Sequence, residues 1–225
     1  PIFLSENEEI RSIIMQRISG SESLLVGDLV VKSFNDVYNS AILINKSGKI
    51  SSSYDKVHLV PFGEYLPFNK FLKNFKFLKI LTSDKGLSKG ISYDPIDTPL
   101  GLTRVLICYE VIFPDEILRS ESRPDLIINI SNDAWFNDYS GPYQHFSNAK
   151  FRSVESGLPV IRSSNKGISA IIGPYGREIK KLSLNEEGSI YSRLPQKIPE
   201  TIYVQYKNFI VLALLLLYFL CYRKI

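Results

Sequence analysis

A thiol and a carboxylate stand two residues apart where an apolar run breaks. In "TRVLICYEVIFPD" (103–115), Cys108 and Glu110 flank Tyr109. A cysteine becomes a nucleophile when a cation or adjacent base stabilises its thiolate, from a free pKa near ~8.5. The end of a core strand suits such a group, because side chains are exposed at the sheet edge and helix-start N–H groups can hold an oxyanion. A second stretch, "YDKVHLVPFGEYLPF" (54–68), sets Lys56, His58 and Glu64 among aromatics and prolines. It reads as an exposed-type loop, and ordering a long loop costs entropy that function often justifies. A desolvated lysine held by carboxylates can stabilise both a thiolate and a tetrahedral oxyanion. Each residue also has a plainer reading: Cys108 packed in the core, Lys56 and Glu110 solvated, Glu64 capping a turn.

The two histidines differ. His145, on a helix beginning near Gly141, can pair with Cys108 in a papain-like dyad, although a helix-face histidine more often hydrogen-bonds within the core. His58 has no second ligand at metal spacing. "NISNDAWF" gathers Asn129, Asn132, Asp133 and Trp135 after a core strand, a natural pocket wall or an ordinary turn. The two cysteines, Cys108 and Cys221, form neither a disulfide framework nor a metal motif, so no metal or cofactor is expected. The net charge is +4 and the basic residues are scattered, which gives no nucleic-acid footprint.

These residues need a scaffold. At 225 residues and 44% hydrophobic, the chain can bury one sizeable core. Ser5 and the acidic "ENEEI" predict a helix start, with the helix stopped at Gly20. "SLLVGDLVVK" (23–32) and "YNSAILIN" (38–45) predict neighbouring strands, with "KSGK" (46–49) a turn. "KFLKNFKFLK" (70–79) has apolar residues at helical spacing and predicts an amphipathic surface or membrane-facing helix. "TRVLI" and "DLIINIS" (125–131) predict core strands, and "PDEILRSES" a short helix opened by Pro114. A helix over 141–157 stops at Gly157. "LPVIRSS", "GISAIIG" and "SIYSRL" predict the closing strands. Early alternation of strands with helices, then strand pairs, favours a layered α/β sandwich over a doubly wound sheet.

The ends are distinctive. "PIFLSENEEI" has no start Met and no basic-then-apolar signal, so the chain is expected to begin mid-fold. "NFIVLALLLLYFLCYRKI" (208–225) carries no charge between Lys207 and Arg223. Counted from Ile202 the segment reaches bilayer length, with tyrosines as interfacial rings and Arg223-Lys224 as a basic cap. Leu214–Leu217 leaves no polar face for a buried helix, so a membrane helix over 202–222 follows residues 1–200.

Four stretches together, the lysine loop, "LICYEVIFPD", "NISNDAWF" with "GPYQHF", and "RSSNKGISAIIGPYG", resemble the nitrilase-type domain of bacterial apolipoprotein N-acyltransferases. The resemblance runs from residue 1 to the C-terminal apolar segment. It implies an α/β fold, a nitrilase-like αββα sandwich, and a Glu-Lys-Cys triad that uses no cofactor. Cys108 matches the nucleophile, Lys56 the triad lysine and Glu64 an auxiliary glutamate. Tyr109 and Glu110 match the pair that follows the nucleophile, Tyr109 on the substrate and Glu110 in the catalytic set. The implied reaction is ping-pong: the cysteine takes an acyl chain from a phospholipid as a thioester, then passes it to the α-amine of an S-diacylglyceryl cysteine on a lipoprotein. The implied location is the inner membrane, with the catalytic domain on the periplasmic side. The family's general-base glutamate lies in a Trp-Pro-Glu motif a few residues before a proline that Pro1 matches, and that motif is not in these residues. The expectation is therefore the C-terminal part of such an enzyme, inactive by itself. A nitrilase-type amidase, or a remnant lacking the base, is the alternative.

Overall fold

The computed structural model describes residues 3–18, 22–33, 36–67, 86–117, 119–137, 139–207 and 209–222. The helix expected over 70–79, the stop at Gly20 and the basic cap at Arg223-Lys224 lie outside these residues.

Two sheets face each other. The first is an antiparallel trio in the order β1 (Ser23–Ser33), β2 (Asp36–Asn45), β3 (Ile50–Asp55). The second has six strands in chain order: β4 (Ile96–Thr98), β5 (Gly101–Ile107), β6 (Leu126–Asn132), β7 (Val160–Asn165), β8 (Ser169–Ile172) and β9 (Glu178–Leu182). Its centre, β5-β6-β7, is parallel, and the remaining pairings are antiparallel. Parallel neighbours need a crossover, and helix α2 (Ser140–Ser156) provides the one between β6 and β7.

Alternation along the strands assigns the layers. Ile42 and Ile44 pack with Met15 of α1 (Glu8–Arg17), covering the outer face of the first sheet. Ala41 and Tyr54 point the other way and meet Val105 and Ile107 of β5 between the sheets. Leu106, Ile127 and Val160 face outward again and pack under Phe146 and Ala149 of α2. The order is helix, sheet, sheet, helix, as the layered-sandwich expectation required. "AILI" (41–44) is buried on both faces, which explains its unbroken apolar run.

Local departures have local causes. Asn7, not Ser5, caps α1, its Oδ1 accepting from Ile10 N at 3.0 Å, while Ser5 N donates to Asp28. Tyr54 and Asp55 belong to β3 rather than to the loop, because β2 offers them a hairpin partner. "PDEILRSES" gives only a 3-10 helix over Pro114–Glu116 among the described residues. "SIYSRL" (189–194) is not a strand; the last strand is the solvated, lysine-bearing β9, whose charges suit a sheet edge. Gly157 ends α2 at φ +69, as its position predicted.

The C-terminal segment forms two helices, α3 (Ile202–Tyr206) and α4 (Phe209–Tyr222), with Lys207 between them at φ +45. Among the described residues no helix is long and apolar enough to cross a membrane. The 14 residues of α4 extend roughly 21 Å at 1.5 Å per residue, against a hydrocarbon core of about 30 Å. Every described side chain of α4 is exposed.

Candidate active site

Strand β5 ends at Ile107, and the chain turns at once into a 3-10 helix over Cys108–Ile112. Cys108, the first residue of that turn, has φ +51, a left-handed conformation that non-glycine residues seldom adopt. Such strain persists only where surrounding contacts over-determine it, and it clusters at functional sites. The half-buried Cys108 packs against the layer that contains Val57 and Tyr54, which brings the lysine loop to the end of β5.

Glu110 makes the tightest connection. Its side chain is fully buried. Oε1 accepts from Tyr54 Oη at 2.8 Å, Val57 N at 2.8 Å and His58 N at 3.1 Å. Oε2 accepts from Ile107 N at 2.8 Å, reaching back across the start of the turn as a helix-capping glutamate does. Burial pushes this carboxyl above its ordinary value, against the pull of those hydrogen bonds. One side chain therefore ties β3, the lysine loop and the cysteine turn together. It is not a solvated glutamate.

Lys56 is not on an exposed loop either. It is 1% exposed, and Nζ donates to both oxygens of Glu64 at 2.9 and 2.8 Å. Glu64 also accepts from Asn39 Nδ2 and Val60 N, each at 2.8 Å. Main-chain bonds hold the lysine from both sides, Lys56 N to Asn39 O and Gly90 N to Lys56 O, each 2.8 Å. Gly90 has to be glycine, since a Cβ there would lie 2.2 Å from Asp55 O. Tyr109 stands beside this loop, edge-on to Phe113 with centroids 5.0 Å apart and to His58 at 5.7 Å. His58 stacks on Phe113 and its Nδ1 lies 2.7 Å from Glu116.

A buried polar cluster lies on the other side of the turn. His145 is not paired with the thiol: Nε2 lies 3.1 Å from the carbonyl oxygen of Cys108, and Nδ1 lies 2.8 Å from Asp133. Arg162, fully buried on β7, donates to Asp133 Oδ2 at 2.6 Å, to Ile168 O at 3.1 Å and to Asn129 Oδ1. Asn129 and Arg162 are register partners across β6 and β7. Of the expected pocket wall, Asn129 and Asp133 are buried here, Asn132 caps the following turn, and Trp135 points into solvent. Arg162 drew no notice in the sequence, although a charge at an inward position of an otherwise apolar strand is a usable signal. Among the described residues no group of three or more His, Cys, Asp or Glu can hold a metal ion.

Burial raises the Asp133 carboxyl, but the bond from His145 and the charge of Arg162 outweigh it and hold the pKa at about 2. With an ordinary value of 3.8, this depressed carboxylate contributes stability that is complete above 3.8 and lost as pH falls towards about 2. The loss should amount to about 2 kcal/mol. Urea unfolding in detergent between pH 5 and pH 2 should show this slope, and Asp133→Asn should lack it. An unchanged slope in the variant would exclude Asp133 as its source.

The helix–sheet–sheet–helix sandwich thus holds the left-handed Cys108 turn and the loop of the buried Lys56–Glu64 pair together through Glu110. The sequence profile of one family, Carbon-nitrogen hydrolase, matches residues 14–203, and the chain belongs to that family. More narrowly, it is similar to apolipoprotein N-acyltransferases. It is 38% identical over 212 residues to that of Rhodopseudomonas palustris, covering 91% of this chain and 40% of the relative. It is 46% identical over 159 residues to that of Brucella suis, covering 70% of this chain and 30% of the relative. The chain thus spans two fifths or less of these relatives. A solved carbon-nitrogen hydrolase from Helicobacter pylori shares the fold, with a TM-score of 0.59 at 17% identity over 81% of this chain and 64% of that one.

Proposed function

We propose that the chain supplies the acyl-carrying half of lipoprotein N-acylation. Cys108 is the nucleophile: its thiolate attacks the ester carbonyl of a phospholipid, the lysophospholipid leaves, and the acyl chain stays on sulfur as a thioester. The α-amine of an S-diacylglyceryl cysteine on a lipoprotein then attacks that thioester and releases the thiol. Lys56 stabilises the thiolate and both tetrahedral intermediates, Glu64 keeps the ammonium in place, Tyr109 lines the substrate side, and Glu110 positions the turn.

The observation that carries this reading is the strained Cys108 turn, bound through Glu110 to the loop of the buried Lys56. Similarity to the N-acyltransferases supports the choice of substrates. Residues 1–200 form the catalytic domain, and 202–222 anchor it in the inner membrane with the domain on the periplasmic side. Support for the anchor is α4, apolar in sequence on all sides and uncovered by the other described residues; a hydrolase of small amides has no use for such a helix.

The test is direct. A protein containing these residues together with the Trp-Pro-Glu segment, incubated with phospholipid in detergent, should carry a hydroxylamine-sensitive acyl group on Cys108, seen by mass spectrometry. Cys108→Ala should carry none. Acyl label on any other residue, or undiminished turnover by Cys108→Ser, would overturn the assignment.

A further inference from the structure

Helix α2 grips the cysteine turn at both ends. His145 meets the carbonyl of Cys108, and two helical turns later Arg152 Nη1 donates to the carbonyls of Ile112 at 3.2 Å and Val111 at 3.5 Å. The arginine end is ordinary capping of a short helix. The histidine end is more informative, because its partners determine where its hydrogens lie.

The His145 ring is buried, 4% exposed. Nε2 faces the carbonyl oxygen of Cys108, which can only accept, so Nε2 carries a hydrogen. Nδ1 lies 2.8 Å from Oδ1 of Asp133, whose carboxyl stays ionised well below neutral pH. A bare nitrogen lone pair at that distance from a carboxylate oxygen would be repelled, so Nδ1 carries a hydrogen as well. Arg162 Nη2 is 3.2 Å from the same nitrogen and donates to Asp133 Oδ2 at 2.6 Å; the shorter contact of Nδ1 with the carboxylate sets its hydrogen. Among the described residues, the charged groups facing the ring are Asp133 from the turn after β6 and Arg162 from β7, with the Cys108 carbonyl against Nε2. Two cations and one anion leave one net positive charge in this cluster, against the carbonyl of Cys108.

We propose that His145 is a positioning residue for Cys108: as a buried imidazolium bridging Asp133 and the Cys108 carbonyl, it holds the left-handed turn and sets a positive charge against it. The proposal rests on Cys108 being the nucleophile. It assigns the histidine no proton transfer, since neither nitrogen is free to accept one.

The test uses the full 225-residue chain in detergent, with Cys221→Ser leaving Cys108 as its one thiol. Iodoacetamide alkylation is followed from pH 5 to 10 for His145, His145→Ala and His145→Gln, with thermal unfolding of each. Loss of one nearby charge should slow alkylation of His145→Ala about tenfold at pH 7 and move its profile about one unit upward. His145→Gln, which keeps a donor for the carbonyl but not the charge, should fall between the two. Added imidazole, filling the vacated space, should restore His145→Ala in part. Folded variants with the native profile would overturn the proposal while leaving Cys108 as the nucleophile. Failure of both variants to fold would overturn it too, reducing His145 to a structural residue. If Cys108 in the unaltered chain alkylates no faster than Cys221, the nucleophile assignment itself fails.

Discussion

Lys56→Met is expected to reduce acyl-thioester formation by about 10²–10³, the usual cost of removing one oxyanion donor, and to destabilise the fold as well. The second effect follows from burial. At 1% exposure, the ammonium is the charge partner of Glu64, whose side chain is 16% exposed. Removing one member of a buried pair commonly costs ~3–5 kcal/mol. The lower end, about 3 kcal/mol, is expected because Glu64 keeps Asn39 Nδ2 and Val60 N as donors. For a domain of this size that corresponds to a melting temperature lower by about 6–12 °C. Lys56→Arg should not rescue the rate, since a planar guanidinium does not fit where a compact ammonium is enclosed. The two effects can be separated. In Lys56→Met with Glu64→Gln, no uncompensated charge remains and the amide oxygen still accepts from one of the two donors, so part of the stability should return, but the rate should stay low. A double variant that recovered both would show that the lysine only holds its loop.

Much of this arrangement was legible in the sequence, and the illegible part has a physical pattern. Cys108 stood out because an apolar run stops there, and Lys56 because few charges interrupt an aromatic, proline-rich stretch. Those signals are local. The burial of Lys56 was not legible: it depends on Asn39, Glu64 and Gly90 meeting around it, and loop composition alone suggested solvent. Glu110 likewise looks like a surface residue until Tyr54, Val57 and His58, more than 50 positions away, supply its donors. Arg162 and Asn129 come together only through the register of two parallel strands, which no single segment encodes. The layers, by contrast, follow from alternation within each strand, and the sandwich was accordingly foreseen. β9 was missed for the converse reason, since a solvated edge strand has no apolar face to announce it.

Glu110→Ala should be the most damaging single change in the domain, through folding rather than through chemistry. The carboxylate satisfies four buried or half-buried donors: Tyr54 Oη and the main-chain N–H groups of Ile107, Val57 and His58. A buried donor left without an acceptor costs ~1–3 kcal/mol, so the group as a whole stands at roughly 4–12 kcal/mol. That is comparable to the entire stability of many domains, about 5–15 kcal/mol. The variant should be largely unfolded, or should release the lysine loop from the cysteine turn. Glu110→Gln separates these outcomes. Its amide oxygen can keep the three donors that share Oε1, while its NH₂ meets Ile107 N–H in place of an acceptor. It should therefore cost only one such bond, about 1–3 kcal/mol, and fold. Thermal unfolding of both variants tests the stability difference, and thioester formation by folded Glu110→Gln tests the role. With Glu110 proposed as the clamp that positions Cys108 and Lys56, Glu110→Gln should retain measurable turnover with the native pH dependence. Complete loss of activity in a Glu110→Gln protein of near-native stability would instead place Glu110 in the chemistry.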